Sequence, residues 1–398
     1  MGERAPTVRD VAALAGVSTA TVSRALGTGG EALVALETRE RVLRAAKTLN
    51  YTANHVARSL KIRSTRTVAI VAPELANDFF MELAEGMERE LEAQGYTLLV
   101  ASSSNSIQGE RERLETLAER LVDGVVVIPA GSRGEHLGLL AKRGIPVVLV
   151  DRLVEGAVLD AVLSDNEAGA AELTRLLVAD GYRRIAFVGG DVTISTARER
   201  LSGYARALAE QGLSPSREDL WLGGMGIEEG YRRMDEILEL PDPPPALVAV
   251  NLLVHLGIQR RLLEESRSPM VHSPPSQGLP SQGLAVHGPA GHGPAGHGPG
   301  TIGRGRREGK EGFRFAIAAF DETPYSPFLP FCRYTAAQDA AGLGRAAAVK
   351  IVGKIKRNAP QGSSRAGASE LGQERAEGMG KAEAVDILRL PVRIIRHH

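Results

Sequence analysis

Residues 18–24, STATVSR, concentrate groups that could do chemistry: hydroxyls on Ser18, Thr19, Thr21 and Ser23, a bare methyl on Ala20 and a guanidinium on Arg24. Hydroxyls anchor a protein on phosphates, arginine can donate two parallel hydrogen bonds to guanine, and a methyl can rest against thymine. The set suits the major groove of DNA. To act there, Thr19, Ala20, Ser23 and Arg24 must stand together on one side of a helix whose other side belongs to a core.

The flanking residues predict that arrangement. Val8, Val11, Ala12 and Ala15 recur at helical spacing, Gly16 interrupts them, and Val17, Val22 and Leu26 resume the stripe on a second helix. Thr7 and Ser18 stand where N-caps belong. Two amphipathic helices hinged at a glycine, the second opening on small polar residues, read as a helix-turn-helix. Charge agrees. The 398 residues balance to zero formally, yet residues 1–66 hold eleven Lys/Arg against five Asp/Glu, so the positive potential is local to this end.

Beyond the head, short apolar strands alternate with amphipathic helices: TVAIVAP at 67, TLLVASS at 97, GVVVIPA at 124, IPVVLVD at 145, DAVLSD at 160 and RRIAFVGG at 183. This is the rhythm of a parallel sheet covered on both faces. A second wound unit is expected from about Asp160 through LWLGG, PPALVAVN and FRFAIAAFD, with a ligand cleft where strand ends meet. Asp151 and Asp321 fall at strand C-termini, where carboxylates accept hydrogen bonds from ligand hydroxyls. Phe79 and Phe80 follow the first strand; with aromatics at only 4% of the chain, one is expected in the cleft and one in the core.

Two low-complexity segments, 267–312 and 358–380, lack helical or strand periodicity and are expected to project as surface loops. In the first, His287, His292 and His297 recur every five residues, but without a rigid element or a fixed carboxylate no metal site is expected. No cofactor is called for either, and GGMG after Trp221 is too loose for a phosphate loop. The single cysteine, Cys332, excludes an intrachain disulfide and reads as a packing residue. MGERAPTVRD has no apolar h-region and no stretch is apolar enough to span a membrane, so a cytoplasmic protein is expected. No catalytic nucleophile and base stand out, so a non-enzymatic role is expected.

Taken together, DVAALAGVSTATVSRAL, ETRERVLRAAKTLNY, ANHVARSLK, TVAIVAPELANDFF, VVLVDR, ARERLSGYARAL and AAFDETPYSPFLP resemble, in order, the LacI (lactose repressor) family, and ILRLPVRIIR resembles its last strand. The resemblance implies an all-α head at 1–52, a hinge helix and linker at 53–66, and an effector and dimerisation region at 67–398. That region would be two periplasmic-binding-protein-like lobes with doubly wound parallel sheets. Thr19, Ala20 and Arg24 would read bases, and Thr7, Ser18, Thr21, Ser23 and Thr38 would touch phosphates. Asn54 and Arg58 would join them from the hinge, and Leu60 would wedge into the minor groove. Phe79, Phe80, Asp151, Arg200, Asn251 and Asp321 would line the effector cleft, with Arg198 the near alternative to Arg200. Leu252 stands where the family usually has an aspartate, which leaves the following helix without its usual cap. The implied protein is a homodimeric repressor, or a higher oligomer of such dimers. It binds operator DNA under control of a sugar or sugar derivative. A purine corepressor is the alternative, and a sugar transport protein a weaker one.

Overall fold

The computed structural model describes residues 6–26, 34–51, 64–120, 122–267, 315–358 and 385–397. Asn54, Arg58, Leu60, the three periodic histidines and nearly all of both low-complexity segments lie outside these residues. Arg267 and Asn358, which the sequence reading assigned to those segments, are instead the final residues of helices.

The head comprises α1 (Val8–Ala15), α2 (Thr19–Ala25) and α3 (Leu36–Thr48). The first turn of α1 is closed by the Asp10 carboxylate, which accepts from the Thr7 N–H and hydroxyl at 2.7 Å each. Gly16 ends α1 in the left-handed region at φ +67°, open to glycine without strain, and turns the chain into α2. Val11, Val22 and Val42, one from each helix, meet at the centre of an alanine-rich core.

Lobe one holds β1 (Thr67–Ala72), α4 (Asp78–Ala93), β2 (Thr97–Ser102), α5 (Ile107–Glu119), β3 (Gly124–Val127), α6 (Gly138–Lys142), β4 (Val147–Val150) and β5 (Ala161–Ser164). The chain then forms lobe two with α7 (Asn166–Ala179), β6 (Ile185–Val188), α8 (Ser195–Glu210), β7 (Leu220–Trp221) and α9 (Ile227–Leu238). It continues with β8 (Ala246–Ala249), α10 (Leu252–Arg267), β9 (Ala316–Phe320) and β10 (Cys332–Ala337). Next α11 (Ala340–Asn358) returns to lobe one, followed by β11 (Ile387–Leu390) there and β12 (Arg393–Arg396) in lobe two. The sheets run β11-β5-β4-β3-β1-β2 and β12-β10-β9-β8-β6-β7. The central strands are buried on both faces, which is why they read as unbroken Val, Ile, Leu and Ala runs.

Three expectations change. The strand after Asp160 belongs to lobe one, where β5 pairs with β4, so the second lobe begins at α7. The ILRLPVRIIR segment is two strands in two sheets: Pro391 lacks the N–H a ladder needs, β11 runs parallel to β5, and β12 runs antiparallel to β10. The second sheet is therefore mixed, and it includes β10, which the sequence reading had not singled out as a strand.

The chain crosses between lobes three times, at 165, at 338–339 and at 391–392. The second crossing delivers α11 onto α4 at backbone contact: a β-carbon on Gly86 or Gly344 would overlap the main chain of Ala341 or Leu83.

Candidate functional site

In α2 the apolar side is closed, with Val22 and Ala25 buried, while Thr19, Ala20, Ser23 and Arg24 are exposed. The Ser18 Oγ accepts the Thr21 N–H at 3.1 Å and lies 2.9 Å from the Thr21 hydroxyl. These two hydroxyls hold the start of the exposed helix and stay at its surface. Thr38 is half-buried in the first turn of α3, whose cap position is taken by Ala35. Of the residues singled out for DNA contact, the eight in the head thus divide into four on the open face of α2 and four hydroxyls at helix starts or their flanks.

In the lobes, β4 and β9 occupy equivalent places in their sheets, and each is followed directly by an aspartate. Asp151 and Asp321 both adopt the left-handed conformation, φ +69° and +71°, which aspartate tolerates better than most non-glycine residues. The Asp321 carboxylate accepts the Leu252 N–H at 3.2 Å and the Gln338 amide at 2.6 Å. Asn251 accepts the Val254 N–H at 3.0 Å and donates to the Met225 carbonyl at 3.0 Å. Between them, Asn251 and Asp321 cap α10, so the family aspartate missing at Leu252 is replaced by a carboxylate from the neighbouring strand end.

Arg200 is buried. Its Nε donates to Asn166 Oδ1 and its Nη1 to the Val250 carbonyl, both at 2.8 Å, and its guanidinium carbon sits 3.9 Å from the centre of the Phe320 ring. Burial pulls its pKa down, against the opposing fields of Asp321 and Asp151. Burial pushes the Asp151 carboxyl up; Arg152 and then Arg200 oppose that, and Asp321 adds to it. Asp151, Arg152, Arg200 and Asp321 therefore form one cluster of interacting charges. Arg198, the alternative, is exposed and folds back on the Val192 and Thr193 carbonyls.

The aromatic pair joins this cluster through Arg152. Phe80 is buried and Phe79 half-buried, with their rings edge to face at 5.5 Å. The Arg152 guanidinium lies 5.9 Å over Phe80, pairs with Asp151 at 3.3 Å and donates to the Pro129 carbonyl at 3.1 Å. Sequence reasoning missed Arg152, although a cation directly after a strand-end carboxylate was a usable signal. It also missed Asn166, and a buried brace in which Glu110 accepts the Ala130 N–H at 2.7 Å and meets His136 at 2.6 Å. That brace holds the loop after β3, whose Pro129 receives Arg152. Arg200, Asn251 and Asp321 direct their hydrogen bonds into the protein, while the Arg152 guanidinium, paired with Asp151, lies over the Phe80 ring.

Residues 7–54 match the family of bacterial regulatory proteins, lacI family, and residues 65–272 match periplasmic binding proteins and sugar binding domain of LacI family. The chain is 34% identical over 260 residues to the HTH-type transcriptional repressor PurR of Vibrio atlanticus (strain LGP32), covering 65% of this chain and 77% of that protein. Among solved structures, the lac repressor dimer bound to operator and the anti-inducer ONPF superposes with a TM-score of 0.72 at 19% identity, covering 99% of this chain and 98% of that one. A transcriptional regulator CelR–cellobiose complex superposes at 0.61 with 25% identity, covering 98% of each chain.

Proposed function

The chain belongs to the LacI family of transcriptional regulators and is a DNA-binding repressor, and from that premise we propose that it reads a pseudo-palindromic operator as a homodimer under control of a sugar or sugar derivative. The observation that carries the DNA reading is the open face of α2, where Thr19, Ala20, Ser23 and Arg24 stand clear of the head core. One such face makes few base contacts, and two-fold symmetry doubles them at a fixed half-site spacing. Arg24 suits guanine and the Ala20 methyl suits thymine.

The effector class rests on the second site. The Asp151 carboxylate and Arg152 guanidinium that follow β4, the latter over the Phe80 ring, match the hydroxyls and ring face of a sugar, and CelR, similar over the whole chain, was solved with cellobiose. The test has two arms. Duplexes selected by the protein from a random pool should show two-fold symmetry, bind as one dimer per site, and lose affinity steeply with added salt. A thermal-shift screen of sugars, sugar phosphates and purines should then give a hit among the sugars that changes affinity for the selected duplex. Stabilisation by purines alone would overturn the effector assignment, and one chain per selected site would overturn the dimer.

A further inference from the structure

Helix α8 belongs to lobe two, yet two of its side chains, one turn apart on the same side, reach lobe one. Ser195 Oγ accepts the N–H of Leu153, just beyond β4, at 2.9 Å. Glu199 is gripped by Arg389 of edge strand β11 through two hydrogen bonds, at 2.8 and 3.1 Å, a bidentate geometry that fixes direction as well as distance. Arg389 exposes 41% of its side chain and Glu199 20%. The pair lies beside two of the three crossings, where the Asp165 N–H donates to the Leu390 carbonyl at 2.8 Å.

The same carboxylate looks inward. Glu199 Oε2 also accepts the Asn166 amide at 3.2 Å, and Asn166 Oδ1 accepts Arg200 Nε. Arg389, Glu199, Asn166 and Arg200 thus form an unbroken hydrogen-bonded chain from the outer edge of lobe one to the buried guanidinium over Phe320. A rotation of one lobe on the other that separates α8 from β11 must stretch or break the Glu199–Arg389 link, because Glu199 is carried by lobe two and Arg389 by lobe one. Asn166 and Arg200, both carried by lobe two, would move together.

We propose that the Glu199–Arg389 pair is a clasp between the lobes, and that both are positioning residues that tie lobe orientation to Arg200 and so to operator affinity. The link to operator affinity rests on the repressor reading; the link to lobe orientation does not. Glu115 on α5 and Glu239 after α9 are exposed, one on each lobe, and can take spin labels as Glu115→Cys and Glu239→Cys. Burial pushes the native Cys332 thiol up to about 12, so it stays unreactive at neutral pH. Inter-lobe distances would be measured by double electron–electron resonance in full-length dimers diluted with unlabelled chain. Wild type would be compared with Glu199→Gln, Arg389→Gln, the double variant and the exchange Glu199→Arg with Arg389→Glu.

Each single substitution should broaden or shift the distance distribution and change affinity for the selected duplex about 2- to 30-fold. The double variant should do no more than either single one, and the exchange should restore the distances but not the operator affinity, because an arginine at 199 rebuilds the pair yet cannot accept the Asn166 amide. A support that merely stabilised the fold would lower the melting temperature without moving the distances. Unchanged distances in Glu199→Gln would overturn the clasp, and changed distances with unchanged operator affinity would overturn its coupling to DNA. If wild type selected no duplex, the repressor reading would fail while the distances still decided the clasp. Arg389→Lys, which keeps the charge but loses the fork, covers the case in which Arg389→Gln fails to fold.

Discussion

Replacing Arg200 by alanine should damage the fold, because the side chain joins three parts of lobe two at once. The two acceptors that it satisfies, Asn166 Oδ1 and the Val250 carbonyl, would each be left without a donor in a site where Arg200 itself is 3% exposed, at about 1–3 kcal/mol apiece. Loss of the guanidinium from the Phe320 face adds about 2 kcal/mol. Against this stands relief from holding a cation in a buried site, the same effect that lowers its pKa. The net expectation is a loss of about 3–5 kcal/mol, the range found when one partner of a buried charged contact is removed. Arg200→Lys should recover little, since a lysine ammonium on a flexible stem does not reproduce a fork that spans two acceptors. Urea unfolding of the full chain, followed by circular dichroism, measures this as a shift of the midpoint at constant slope. A loss below about 1 kcal/mol, the scale of an average substitution, would refute the view that Arg200 braces Asn166, Val250 and Phe320 together.

Asp151→Asn should fold, because asparagine also tolerates the left-handed conformation at φ +69°. A carboxyl whose native pKa is raised favours the native state below its unfolded value, and that contribution is lost as pH rises through the native one; urea midpoints against pH should therefore fall less in Asp151→Asn than in wild type across that window. His255 has the opposite sign. Burial, then the nearby His397, lowers it from 6.5 to about 3, so its contribution is present above 6.5 and is lost as acid protonates the unfolded chain; His255→Leu should flatten the decline between these values in an acid unfolding series. Gly344→Ala should cost about 1–3 kcal/mol in thermal unfolding by forcing α11 off α4. Gly353→Ala, on the same helix with only the end of Arg357 in ordinary contact, should instead gain about 0.5–1 kcal/mol.

The elements that the sequence announced were those with a local cause. Val8 to Leu26 carry a period and a glycine stop, and the buried strands carry unbroken apolar runs, so both could be read directly. Asp151 and Asp321 stood out because strand ends have a known direction in a wound sheet. The partners of Arg200 did not, since Asn166 and Val250 lie 34 and 50 residues away and nothing in their own neighbourhood marks them. The split of ILRLPVRIIR across two sheets was equally hidden: Pro391 signals a break, but which sheet each half joins is decided by β5 and β10. Glu199 and Arg389, 190 residues apart, read separately as ordinary surface charges.

The three crossings also govern how the chain can be made. Lobe one is finished by α11 and β11, which leave the ribosome more than a hundred and more than two hundred residues after β5. At about 5–20 residues per second, that delay is on the order of tens of seconds. Until then α4 lacks the helix that covers it, and β5 presents a bare hydrogen-bonding edge of the kind that recruits strands from other chains. Lobe two, by contrast, lacks only its edge strand β12 once β10 has emerged. A chain cut short before Ile387 would leave its N-terminal lobe with an open edge even though every residue of its first five strands is present.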